Sequence, residues 1–161
     1  MPLTPLDVNE PFVDIHVDVS GWPPIKNEAT SLLAASHANA DRVRRLLTAA
    51  QAVTSRVGWA PPTVDVALDL VVRGPTRPPG DATNYLGGIG DVLQDKTNRP
   101  NLDLAHLGNL TAVALYRDDR QIRQISYREE SAAEPGYSLR IRPLALTTAP
   151  AARPSIHAAT D

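Results

Sequence analysis

The chain has 161 residues, enough for a single domain of ordinary size and too few for two full cores. It contains no cysteine, which excludes a disulfide framework, a thiolate zinc site and a cysteine nucleophile, and the histidines at 16, 37, 106 and 157 show no ligand spacing. The net charge of -2 gives no bulk attraction to nucleic acid, so any DNA binding must come from a local basic face.

Residues 1 to 11 hold prolines and acids where a signal peptide needs a positive start and an apolar stretch, and they read as a flexible N-terminus. No run approaches the roughly 18 apolar residues of a membrane span. The expectation is a soluble, unexported, cytoplasmic protein without a membrane partner.

Val13, Ile15, Val17 and Val19 alternate with Asp14, His16 and Asp18, which predicts a strand over 12–19 with one face on a core. Gly21-Trp22-Pro23-Pro24 then breaks regular structure, because the prolines remove backbone donors. From Ser31 to Val57 glycine and proline are absent. Val43, Leu46, Leu47, Ala50, Val53 and Val57 recur there at helical spacing, which predicts a long helix ending at Gly58.

A second strand is expected over 63–72, with Val64, Val66, Leu68, Leu70 and Val72 on one face, followed by a proline- and glycine-rich turn from Arg73 to Gly80. Asp81 opens a second helix, with Tyr85, Leu86, Ile89, Val92 and Leu93 as its apolar stripe and three glycines weakening it by roughly 1 kcal/mol each. Residues 94–109 read as an irregular excursion, and Leu110–Tyr116 as a strand. Arg117-Asp118-Asp119 is a turn, and 120–128 and 137–142 are two strands of a hairpin around Pro135-Gly136. From Pro143 onward the alanines, threonines and prolines have no periodicity, which suggests a disordered tail. The expected class is α/β (α+β), with two helices packed on one mixed sheet of about four to five strands.

On a helix, Asp81, Asn84 and Asp91 fall roughly along one face. If the Asp118-Asp119 turn packs against the start of that helix, three or four carboxylates converge, and like charges held so close usually require a cation. All these donors are oxygens, which suits Mg²⁺ or Mn²⁺ and the cleavage of a phosphodiester. The plainer reading makes Asp81 a helix cap, Asp118-Asp119 a solvated turn and Asp91 a surface acid. Gly87-Gly88-Ile89-Gly90 lacks the spacing of a nucleotide loop and has no Walker lysine. Neither Ser20 nor Ser36 has a nucleophile context.

The order of four motifs resembles the RusA-type Holliday junction resolvases. That family carries Pro-Pro-x-x-Asn after the first strand, D-x-D-N-x-x-K entering the second helix, D-A-L about a turn later and D-D-x-Q-[IV] before a strand. This chain shows Pro23-Pro24-Ile25-Lys26-Asn27, Asp81-Ala82-Thr83-Asn84, Asp91-Val92-Leu93 and Asp118-Asp119-Arg120-Gln121-Ile122. Over residues 12–142 the resemblance implies a RusA-like domain that acts as a homodimer on four-way DNA junctions. It implies Mg²⁺ or Mn²⁺ on Asp81 and Asp119 with Asp91, supported by Asn84, Asp118 and Thr83, and phosphate contacts from Lys26, Asn27, Arg73, Arg77, Arg117 and Arg120. The chain departs from the pattern at two positions: Thr83 stands where the second motif aspartate is expected, and Gly87 where the lysine is. The resemblance therefore leaves two functions open: a metal-dependent junction endonuclease, and a RusA-like module that binds branched DNA or a protein partner without cutting.

Overall fold

The computed structural model describes residues 13–26, 31–97 and 102–145. The N-terminus at 1–11, Asn27 and most of the expected tail lie outside the described residues.

Strand β1, Ile15–Ser20, follows from the period-two alternation and buries Ile15, Val17 and Val19. It starts later than expected: Val13 is 63 % exposed and outside the strand. Helix α1, Ala40–Val57, buries Val43, Leu46, Leu47 and Ala50, and Gly58 ends it in the left-handed conformation at φ 66°. The helix does not begin at Ser31 as its composition predicts. Between 31 and 39 the side chains satisfy the backbone instead: Ser31 Oγ accepts from the Leu33 N–H and His37 Nδ1 from the Asn39 N–H. Leu32 and Leu33 still enter the core, but from turns.

Strand β2, Val66–Gly74, buries Val66, Leu68, Leu70 and Val72 on one face and Ala67 and Val71 on the other. Helix α2, Ala82–Leu93, buries Tyr85, Ile89, Val92 and Leu93, with Leu86 at the margin. The strand expected at Leu110–Tyr116 is absent. Ala105–Ala112 forms 3-10 turns kinked at Gly108 (φ 54°), and Tyr116 makes only a single parallel bridge with Gln94. Its apolar residues serve the core without joining the sheet: Leu107, Leu110, Val113, Leu115 and Tyr116 are buried.

Strands β3, Ile122–Ser131, and β4, Gly136–Pro143, complete one four-stranded mixed sheet in the order β1-β4-β2-β3. β3 runs parallel to β2, and β4 is antiparallel to both β1 and β2. The expected hairpin is therefore not formed, because β2 lies between its two strands. The 132–135 connection arches over the end of β2, held by Ala132 N–H to Gly74 O (3.0 Å) and Gly21 N–H to Pro135 O (2.9 Å).

The fold is α+β with a single hydrophobic core between the helices and one sheet face, where Ile15, Val17, Leu68, Leu70, Tyr137, Leu139 and Ile141 meet both helices' stripes. Each such side chain contributes about 1.5–3 kcal/mol on burial. The opposite face is polar and internally neutralised. Arg140 pairs with Asp14, Arg142 with Asp69 at 3.1 Å, and Arg73 and Arg128 both with Glu130. No helix among the described residues is long and apolar enough to cross a membrane.

Candidate functional site

Helix α2 carries the acidic motif, and its two ends form two separate sites. At the first end, Asp81 is the N-cap. One carboxylate oxygen accepts the Asn84 N–H and the Thr83 hydroxyl, both at 2.8 Å, and the other accepts Asn84 Nδ2 at 3.2 Å. The Asn84 backbone amide, then the Thr83 hydroxyl, hold the Asp81 carboxyl below its ordinary pKa. Asp-x-x-Asn is thus a local cap that satisfies a free helix amide. Beside it opens a cleft of about 630 Å³ whose wall includes Ile25, Arg77, Asn84, Tyr127 and Glu129.

At the second end, Asp118 caps the 3-10 turn Asp119–Gln121. The Asp118 side chain accepts from the turn's backbone while Gln121 Oε1 accepts the Asp118 N–H in return. Gln121 Nε2 also donates to Pro62 O and Val64 O, tying the turn to the segment entering β2. Asp-x-x-Gln is a reciprocal capping box. Arg120 grips Asp118 through two nitrogens, at 3.0 and 2.9 Å, and this first, with the Arg120 backbone amide second, lowers the Asp118 carboxyl to about 2. Asp119 is anchored by its N–H to Gln94 Oε1 at the C-cap of α2.

Asp81 and Asp119 therefore do not meet in one chain. With its caps α2 is about 20 Å long at 1.5 Å per residue, and the two carboxylates stand at its opposite ends. Within one chain they stand too far apart to share an Mg²⁺, whose oxygen ligands lie about 2.0–2.1 Å away. Asp91 shares the second end: burial first, then Asp119 and Asp91, push the phenol of Tyr116 far above its ordinary pKa. Its own neighbour is a cation. Lys26 Nζ lies 3.1 Å from Asp91 and forms an ion pair with it. Among the described residues no three acidic or histidine side chains gather as a metal-ligand group.

The Pro23-Pro24-Ile25-Lys26 segment reaches α2 because two glycines let it. A side chain at Gly88 would lie 2.2 Å from the Pro24 carbonyl oxygen, and one at Gly87 would lie 3.2 Å from Lys26 Cδ. The Lys26 N–H bonds to Asn84 O at 3.2 Å, and its side chain then runs over Gly87 to Asp91. Lys26 thus occupies the space into which a side chain at position 87 would extend.

Of the other expected phosphate contacts, Arg73 is paired with Glu130 and Arg120 with Asp118. Arg77 lines the cleft at Asp81, and Arg117 precedes the capping box. Sequence reasoning did not single out Tyr127, Glu129, Gln94 or Tyr116. The first two arrive from β3, whose place beside β2 no local pattern announces. Gln121 could have been found, since D-x-x-Q is itself a capping signature.

Comparison of the sequence with protein-family models and with curated proteins returns no match.

Proposed function

We propose that the chain is a RusA-like module that binds four-way DNA junctions as a homodimer without cutting them. The observation that carries the reading is the separation of Asp81 and Asp119 by the length of α2, with Asp81 spent on its own cap. Two further features support it. The four motifs keep their order along the chain, and each has a structural role that survives without a metal: two caps, a docked Pro-Pro segment, and the ion pair of Asp91 with Lys26. Lys26, half exposed beside Gly87, offers a phosphate contact where the motif lysine is missing.

The alternative, Mg²⁺-dependent resolution of junctions by Asp81, Asp119 and Asp91, needs ligands from the two ends of α2 to meet at one ion, which in a homodimer could come from different copies. The test is incubation of the protein with a synthetic four-way junction and with linear duplex, each with Mg²⁺, Mn²⁺ or EDTA. The expected result is junction binding under all three conditions with no product. Metal-dependent product would return the endonuclease reading, and equal or absent binding to both DNAs would overturn the proposal.

A further inference from the structure

The arginines of this fold divide into two groups. On the open face of the sheet each is answered by an acid: Arg73 and Arg128 by Glu130, Arg140 by Asp14 and Arg142 by Asp69. On helix α1 none is. Arg42, Arg44, Arg45 and Arg56 share the helix with one acid, Asp41, and among the described residues none of the four arginines forms an ion pair. Four arginines against one aspartate give α1 a net of +3 in a chain whose net charge is -2.

Two of these guanidinium groups are held in place without being neutralised. Arg42 Nη1 donates to Pro23 O at 3.2 Å and Arg44 Nη2 to His106 O at 2.9 Å. A carbonyl fixes a guanidinium but leaves its charge and most of its five N–H donors free for an anion. Arg45 lies over the turn at Gly21, where a side chain would come 2.7 Å from its Nη1. The row therefore starts beside the Pro23–Lys26 segment. Arg56 lies on the same side of the helix as Arg45, three turns and about 16.5 Å further on. The exposed residues between them, Thr48, Ala52 and Ser55, are small. Arg44, Arg45, Thr48 and Ala52 also border a groove of about 460 Å³ against β1, where Asp18 is the opposing acid.

The surface selects its partner by what it lacks as well as by its charge. A helix that lies on a membrane buries its apolar face in lipid, and the apolar stripe of α1 is already in the core. A protein partner needs aromatic or aliphatic side chains at the centre of its interface, and no large apolar side chain is exposed between Arg44 and Arg56. The backbone of a DNA duplex needs no such anchor. It presents one negative charge per about 1.7 Å of its axis. Guanidinium groups grip phosphate through two nitrogens, and hydroxyls such as those of Thr48 and Ser55 contact it as well.

We infer that the outer face of α1 is a second DNA-contact surface, continuous with Lys26, on which Arg42, Arg44, Arg45 and Arg56 hold the phosphate backbone of a duplex arm without reading its sequence. The inference rests on the reading that the chain binds DNA and adds where an arm of the junction lies.

The test is titration of the full chain with the four-way junction and with linear duplex at several salt concentrations. Arg45→Gln and Arg56→Gln should each lower the slope of log affinity against log salt by about one, and the two together by about two, on both DNAs. Arg128→Gln removes the same charge from the opposite face and should leave the slope unchanged. Ala52→Glu separates the fold from the contact. It places a carboxylate four residues before Arg56, a favourable helix pair, so the melting temperature should not fall while both DNAs bind more weakly. If the arginine variants fail to fold, this variant decides alone. Wild-type preference for the junction with slopes unchanged in every α1 variant overturns the inference and leaves the functional reading standing. A slope lowered as much by Arg128→Gln as by Arg45→Gln overturns it too, since net charge would then account for the effect. Equal binding of junction and duplex, with slopes lowered only by the α1 variants, overturns the junction reading and sustains this surface. No binding to either DNA removes both.

Discussion

Lys26 Nζ lies 3.1 Å from the Asp91 carboxylate, so the half-exposed cation nearest the motif glycine is held by an acid from the helix beneath it. If that cation meets phosphate when DNA binds, the two partners have opposite effects. Lys26→Met removes a contact and should weaken junction binding, with the slope of log affinity against log salt shrinking by about one. Asp91→Asn frees the ammonium from a competing carboxylate and should strengthen binding. Fluorescence titrations at several salt concentrations check both. Equal weakening by the two changes would mean that the pair only holds the Pro-Pro segment in place.

The glycines of α2 separate into those that packing requires and those it does not. A methyl at position 88 would sit 2.2 Å from the Pro24 carbonyl oxygen, which is backbone and cannot step aside, whereas one at position 90 meets nothing within 4 Å. Gly90→Ala should therefore stabilise the protein by about 0.5–1 kcal/mol, the ordinary gain of alanine over glycine in a helix. Gly88→Ala should lose about 1–3 kcal/mol to overpacking despite the same propensity gain. Each 1 kcal/mol moves the melting temperature by about 2–4 °C at this size, within reach of thermal melts.

The same division explains what could be read from the chain alone. The alternation in β1, the stripe of α1 from Val43 to Val53, the Gly58 cap and the Asp81 start of α2 follow from rules that act within one turn or one strand, and each appears in the structure; Val57, the last residue expected in that stripe, is 47 % exposed where the helix ends. The insertion of β2 between β3 and β4 was not legible. Pro135-Gly136 looks the same in a hairpin loop and in an arch, and only the wider sheet distinguishes them. Leu110–Tyr116 misled for a related reason: an apolar run states that residues are buried, not what backbone buries them, and Gly108 kinks this one into 3-10 turns. At the site, motif order was legible but distance was not. Whether the Asp118 turn packs at the start or the end of α2 depends on where Tyr116 and Gln94 pair, a long-range contact.

Acid should unfold the protein in a defined window. The Asp118 carboxyl falls from an ordinary value of 3.8 to about 2, chiefly through the Arg120 side chain, and Asp81 and Asp69 are also lowered. For Asp69 burial acts in the opposite direction but is outweighed by the Ser126 hydroxyl and Arg142. A group with a lowered folded pKa binds its proton less readily than the unfolded chain does. Its stabilisation is complete above the unfolded value and is lost as pH falls through the folded one. Stability should thus fall between about pH 4 and pH 2, and Asp118→Asn should flatten the curve there while leaving its shape near neutrality unchanged. Denaturant melts at half-unit pH intervals measure this. An unchanged slope in the variant would mean the Arg120 pair is not maintained in solution.

Asp81 can be tested as a cap independently of any metal. Asp81→Ala leaves the Asn84 N–H without its acceptor and should lower the melting temperature, while Asp81→Ser keeps a capping oxygen and should retain most of it. Equal losses in both would show that the carboxylate charge, and not the cap, is what the fold uses.

Thr83→Asp with Gly87→Lys puts an aspartate and a lysine at the two positions where the chain departs from the pattern it resembles. On the motif alone this pair should create a nuclease, since it adds a charged oxygen ligand and a cation. The surroundings of both positions argue otherwise. The Thr83 hydroxyl donates to Asp81 at 2.8 Å, so aspartate there replaces a donor with a like charge and weakens the cap that starts α2. Lysine at 87 would start against the Lys26 side chain, placing two ammonium groups over one Asp91. Neither change shortens the distance from Asp81 to Asp119. The double variant should melt below the wild type in EDTA, recover part of the difference in Mg²⁺ because the paired carboxylates at 81 and 83 then share a cation, and still cut no junction. Melts with and without Mg²⁺ and a junction cleavage assay measure the three outcomes. Mg²⁺-dependent cutting that is abolished by a further Asp119→Asn would require the two ends of α2 to act on one phosphodiester. Separation along that helix would then be no barrier to catalysis, and the non-cutting reading would fall with it.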